Sequence, residues 1–217
     1  MRTLLSILVS LMLLTSAVCA EELTPTVYPL PEGHVLLDHV QIANAKPEET
    51  LLLLGCKSEN AVKLAVIRRI DSSNYLVTAL SGPVLSLDSF VPEQSYMQSD
   101  EYNLYIWYGV RGGKPVDEVF LSMCNNDETG LQIRSGHVSR LDSNANYSFD
   151  QTEPGLLAIS GELPYPEIEW PTDISLDLNG FSLSTLEAEC LQALDCLKEL
   201  TTQYREGDEI PGYTIHW

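Results

Sequence analysis

Positive charge is scarce in this chain. Lys and Arg number 12 against 31 Asp and Glu, a formal net charge of −19. A surface of that sign repels phosphate backbones, which excludes nucleic acid as a partner and disfavours anionic membranes. It favours cations, basic partners and solubility. Catalytic signatures are missing as well. There is no G-x-S-x-G elbow, no H-E-x-x-H pair, no phosphate loop and no dinucleotide glycine pattern. The cysteines have no C-x-x-C spacing and no His pair beside them, so no zinc site is expected. Beyond the N-terminus no apolar run reaches membrane-spanning length. The longest, Leu51 to Leu54, reads as a strand. No hydrophobic C-terminal tail offers a second anchor or lipid-attachment signal.

What is present begins with a leader. Arg2 supplies a positive start, Leu4 to Leu14 is apolar apart from Ser6 and Ser10, and Val18 and Ala20 occupy the small-residue positions of a cleavage site before Glu21. This pattern predicts a cleaved secretory signal peptide over 1–20 and a secreted or extracytoplasmic location, in the periplasm, at the cell surface or outside the cell. A product without membrane insertion after cleavage is expected. Cys19 does not mark lipoprotein processing, because Val18 before it is too large.

Of the 5 cysteines, Cys19 falls in the leader, and Cys56, Cys124, Cys190 and Cys196 remain. Six residues of helix rise about 9 Å, beyond the reach of about 7 Å for a disulfide. Cys190 and Cys196 therefore cannot pair within one predicted helix. Cys56 and Cys124 each close a predicted strand. Their pairing stays open beside the alternative of four unpaired thiols.

Period-two alternation dominates the chain from about residue 35 to residue 180. Tyr102, Leu104, Ile106 and Tyr108 alternate with Asn103, Tyr105 and Trp107, and Leu131 and Ile133 alternate with Gln132 and Arg134. Ile174, Leu176 and Leu178 do so with Ser175, Asp177 and Asn179. Turn residues separate the runs at 57–60, 71–74, 111–114 and 125–128. The expected fold is mainly β, with antiparallel meanders forming two packed sheets. Thr50 to Val84 and Tyr102 to Val138 each run as a three-stranded meander ending in Ser-Gly, which raises a possible tandem repeat.

The expected organisation is a leader over 1–20, an extended Pro-rich segment over 21–34 and a first β-meander unit over 35–90. A polar linker over 91–101, a second β unit over 102–181 and a C-terminal helix and tail over 182–217 follow. Leu163 to Thr172, with three prolines, reads as an extended connection. The helix is amphipathic: Leu186, Cys190, Ala193, Leu194 and Leu197 share a face. Ser184 and Glu187 form a capping box, with Ser182 as rival cap, and the helix should end near residue 201. Ile215 and Trp217 suit a last docked strand.

Candidate sites are few. Asp142, Asn144, Asn146, Ser148, Asp150 and Glu153 occupy alternate oxygen-bearing positions of a twelve-residue loop. That spacing resembles an EF-hand calcium loop, with calcium as the only cofactor it implies. Tyr147 stands where glycine normally allows the sharp turn, and Pro154 blocks an exiting helix. A polar hairpin loop is the plainer expectation, and no other cofactor is expected. Asn146-Tyr147-Ser148 is also a glycosylation sequon. Glu167 and Glu169 share a face if extended, with Trp170 beside them, which would suit a glycan-acting hydrolase. Neighbouring acids on one strand are poorly placed to flank a bond. Tyr105 and Trp107, with Trp170, are the aromatic candidates for a ligand platform, although a strand buried on both faces is the plainer expectation for the run Tyr102 to Tyr108. His34, Asp38, His39, His137 and His216 have no nucleophile or metal partner evident in sequence. The favoured expectation is a non-catalytic extracytoplasmic binding or envelope-associated module with a protein or glycan partner. A secreted hydrolase and a calcium-stabilised domain are the alternatives.

Overall fold

The computed structural model describes residues 28–43, 45–98, 103–110, 114–126, 130–140, 145–162, 166–204 and 212–216. The leader expected over 1–20 lies outside the described residues, as does 21–27. Among the described residues the chain is mainly β: two antiparallel sheets with one α-helix near the C-terminus. The first sheet holds β1 (His34–Gln41), β2 (Glu49–Cys56), β3 (Ala61–Arg69) and β4 (Tyr75–Leu80) in sequence order, with β5 (Leu85–Ser86) also pairing β3. The second sheet runs β6 (Asn103–Val110), β7 (Lys114–Asn126), β8 (Gly130–Arg140), β9 (Ala145–Glu153), β10 (Leu156–Gly161), β11 (Glu167–Pro171) and β12 (Ile215–His216), again in sequence order.

Local chemistry explains the hairpins. Asn60, at φ 49, closes the turn between β2 and β3, a conformation Asn tolerates better than most residues. Pro154-Gly155 joins β9 to β10, with Gly155 at φ 82, the left-handed second position a type II turn requires. Asp71 Oδ1 accepts from the amides of Ser73 and Asn74, each at 2.9 Å, and fixes the β3–β4 turn.

One core joins both sheets. Leu51, Leu53, Val62 and Leu64 of the first sheet cluster with Val119, Leu121, Val138, Tyr147, Phe149 and Ile168 of the second. The helix α1 (Leu183–Gln203) lies against β9, β10 and β11, burying Leu183, Leu186, Cys190, Ala193, Leu194 and Leu197. Each large side chain buried this way contributes about 1.5–3 kcal/mol. β2 and most of β3 are buried on both faces. On the far face Leu52, Leu54, Ala65 and Ile67 form a second cluster beneath Tyr28, Leu30, Tyr75 and Leu80. The Tyr28 ring packs at 5.3 Å from His39 on β1 and 5.6 Å from Tyr75 on β4.

Several expectations need correction. Ser182, not Ser184, is the N-cap of α1, and it makes no side-chain capping bond. Its hydroxyl meets that of Ser184 at 2.9 Å, and Glu187 pairs with Arg140 instead of turning back to the cap. The helix reaches Gln203. Ser135-Gly136 does not end a meander; it lies inside β8. A Cβ on Gly136 would stand 2.6 Å from the Phe149 ring, so this glycine makes room for a neighbour rather than a turn. The two Ser-Gly pairs are thus not equivalent, because Ser81-Gly82 follows β4 outside any strand. The strand expected over Ile174–Leu178 reduces to one isolated bridge, Gln132 to Asp177, flanked by backbone bonds from Ile133 to Leu176 and from Leu178 to Leu131. The Pro-rich connection contains a strand, β11, whose Pro171 sits at its end. Of the two alternatives left open for the cysteines the structure has the unpaired one: Cys56 and Cys124 stand in different sheets, and Cys56, Cys124, Cys190 and Cys196 are all free. No helix among the described residues is long and apolar enough to cross a membrane.

Candidate functional site

Strand register assembles a row of polar groups that no sequence spacing reveals. On the second sheet Val138, Tyr147, Phe149, Ile159, Ile168 and Trp170 face the core. Residues of the opposite parity face outward. Phe120 pairs with His137, His137 with Ser148, and Ser148 with Ser160. Ile159 opposite Ile168 puts Ser160 beside Glu167, and Glu167 pairs with His216. One line across the sheet thus reads Phe120, His137, Ser148, Ser160, Glu167, His216. At about 4.8 Å per strand, His137 to Glu167 spans about 14 Å. A parallel line holds Ser122, Ser135, Asp150, Ala158 and Glu169.

The two lines border a shallow depression of about 290 Å³, lined by His137, Ser148, Asp150, Ser160 and Glu167 among others. His137 Nδ1 and Ser148 Oγ share a hydrogen bond of 3.1 Å. At the far edge His216 Nε2 stands 3.7 Å from Glu169 Oε1. Glu118, Asp150, Glu162, Glu167 and Glu169 make this face acidic. Glu118, Asp150, Glu162 and Glu167 are exposed, and Glu169 is half-buried. The notable residues here, His137, Ser148 and Ser160, come from three separate strands. Their only sequence signal is outward parity on neighbouring strands, which needs the register to be known.

The expected sites fare unevenly. Glu167 and Glu169 do share the outer face of β11. Trp170 does not join them. It faces the core at 8% exposure, donates its indole N–H to Glu189 Oε2 at 3.3 Å and stacks on Tyr213 at 5.8 Å. It cannot serve as a platform beside the acids, because adjacent strand residues point to opposite faces. Tyr105 and Trp107 belong to β6, but their side chains lie outside the described residues. Asp142 and Asn144 lie outside the described residues altogether. Asn146, Ser148, Asp150 and Glu153 sit on β9, extended rather than wrapped in a loop. Two residues of strand advance about 6.6 Å, so Asn146 and Asp150 stand about 13 Å apart along the chain, too far to share one calcium ion with ligands at about 2.4 Å. Asn146 Nδ2 donates to Glu162 Oε1 at 2.8 Å, so the sequon asparagine is engaged within a strand. Among the described residues no three His, Cys, Asp or Glu side chains converge on a metal position.

A Ser–His hydrogen bond resembles a nucleophile and its base, but acyl transfer also needs free N–H groups aimed at the developing oxyanion. Here the amides of β8 and β9 belong to ladders with strands on both sides. The depression is open to water, and Asp150, Glu167 and Glu169 lie on one face of the sheet.

No protein-family model matches the chain, and no curated protein or solved structure matches it significantly. The described residues define the class: a mainly β protein of two antiparallel sheets with an α-helix packed against the second.

Proposed function

We propose that the protein is an exported, non-catalytic binding module that captures a basic partner on the outer face of its second sheet. The observation behind this is the outward alignment of His137, Ser148, Ser160 and Glu167, next to Asp150 and Glu169, with hydroxyls and carboxylates facing solvent over a shallow floor. Carboxylates in an open, half-polar depression attract ammonium and guanidinium groups, and the serine hydroxyls supply the directional contacts that fix a polar chain. A basic polypeptide segment is the partner class this face suits best. Export rests on the leader of the sequence.

The test is titration of a short oligo-lysine or oligo-arginine peptide into the mature protein by calorimetry at two ionic strengths. Binding should weaken as salt rises, and Asp150→Asn, Glu167→Gln and Glu169→Gln together should weaken it at least about tenfold. Equal affinity in the triple variant would place the partner elsewhere. Mass spectrometry of the protein from its host should find Glu21 as the first residue; a chain retaining Met1 would remove export from the proposal.

A further inference from the structure

We infer that the free edge of β4 is a self-association surface on which a second copy lays its own β4 antiparallel. β4 ends the order of the first sheet, and β5 continues along the same side of β3. The Leu80 end of β4 is occupied, since Gly180 donates to the Leu80 carbonyl at 3.4 Å. The other end is open. Leu76 is 52% exposed, Val77 36% and Ile70, on the adjoining turn, 63%. A strand edge offers backbone donors and acceptors, and what completes them is another extended strand.

This edge lacks the charged residues that usually protect one. No charged residue occurs between Asp71 and Asp88, in a chain with 31 acids. The opposite edge, β1, carries Asp38 and His39 and a register break between Leu36 and Asp38, devices that discourage strand addition. On β4 the break falls at Thr78, whose hydroxyl turns back to the Val66 carbonyl at 3.2 Å. That leaves Tyr75 to Val77 as the regular stretch. The hairpin tip is preorganised, because Asn74 Nδ2 also donates to Asp71 Oδ2 at 2.7 Å, closing the turn.

A second copy fits for two reasons. Each copy carries a net charge of −19, so association requires contact through an uncharged strip, and β4 supplies one on both sides. Antiparallel pairing of β4 with itself is also isologous, so it consumes both open edges and closes as a dimer. Pairing β4 to β1 would instead propagate, and the charge and bulge of β1 oppose it. The strip is short, so the dimer belongs to the weak, reversible class with less than about 1,200 Å² of interface.

The experiment is sedimentation velocity of the mature protein from about 10 µM to about 1 mM, at about 20 mM and about 500 mM NaCl. Dimer should grow with concentration and grow further with salt, because screening removes the repulsion between like-charged copies. Leu76→Lys with Val77→Lys should leave a monomer with an unchanged thermal melt, whereas Leu36→Lys on β1 should still dimerise. Hydrogen exchange provides the second readout: the Tyr75 and Val77 amides, which point away from β3, should slow as concentration rises. A monomer throughout at high salt, a dimer that survives the double substitution, or amides indifferent to concentration would each overturn the proposal.

Discussion

Arg140, the last residue of β8, brings its Nε within 2.8 Å of Glu187 Oε1 on α1. Both side chains are mostly buried, at 18% and 16% exposure. The pair therefore ties the helix to the second sheet where solvent screens little. Breaking such a pair leaves the surviving charge without its partner, which costs more than the pair itself contributes. Arg140→Ala and Glu187→Ala should each lower unfolding free energy by about 2–3 kcal/mol, read from urea midpoints. The double variant should lose less than the sum of the two.

Tyr147 lies beneath the same helix at 1% exposure, and among the described residues its hydroxyl has no hydrogen-bond partner. Burial pushes its pKa well above the ordinary tyrosine range, with the neighbouring Cys190 and Glu187 adding to the rise. Removing a buried hydroxyl that bonds to nothing relieves its desolvation cost. Tyr147→Phe should raise stability by about 1 kcal/mol, seen as a higher melting temperature. A loss of stability would mean that the hydroxyl is satisfied in solution.

Alkaline pH should expose the same region. Burial pushes the Cys190 thiol up to about 12 from an ordinary value of 9.0. The folded state holds its proton more tightly than the unfolded chain. The stability it gives is complete below pH 9 and is lost as pH rises from 9 to 12. The slope is at most about 1.4 kcal/mol per pH unit. Tyr147, raised in the same direction, adds to the loss above pH 10. Urea midpoints at pH 8 and pH 10.5 should fall in the wild type and fall less in Cys190→Val.

The unpaired state of Cys56, Cys124, Cys190 and Cys196 makes a direct prediction for these four thiols. Thiol reagent in denaturant, without reductant, should label all four. In the native protein the buried Cys56 and Cys190 should react far more slowly than the half-buried Cys124 and Cys196.

Gly136→Ala should be costly although the residue lies in an ordinary strand. The new methyl would stand 2.6 Å from the Phe149 ring and 2.7 Å from the Phe120 carbonyl. The backbone cannot yield easily, so a loss of about 2–3 kcal/mol is expected from this overpacking, measured by chemical denaturation.

Composition and alternation made the β class, the meanders and the helix stripe legible, because burial imposes periods of 2 and 3.6 on any sequence that packs one face. The stripe from Leu186 to Leu197 is the clearest case. Ser182 and Ser184 were not separable as caps, since both precede the same apolar pattern and only the path of the backbone decides between them. Ile174 to Leu178 alternates like a strand, yet Leu176 and Leu178 are buried by a loop that touches β8 at a single bridge. Asn146 to Glu153 looked like a loop because its outward positions are polar. In fact polar residues on alternate positions are what a solvated sheet face requires, and Tyr147 and Phe149 on the other face were the sign of it. The candidate site was the least legible part. Glu167 and Glu169 were visible as a pair, but the line from His137 to Glu167 depends on the register of four strands, and one-residue slips would turn it inward.

The second sheet pairs almost every strand with its neighbour in the chain, and β12 is the exception. Hairpins of that kind close over short loops and can zip together early, one after another. His216 and Ile215 must instead return across the whole of α1 to reach Glu167 and Ile168. Their pairing therefore closes a longer loop than the hairpins of the sheet do. That pairing covers the border of β11, which the helix also touches, so it couples the edge of the sheet to the seating of α1.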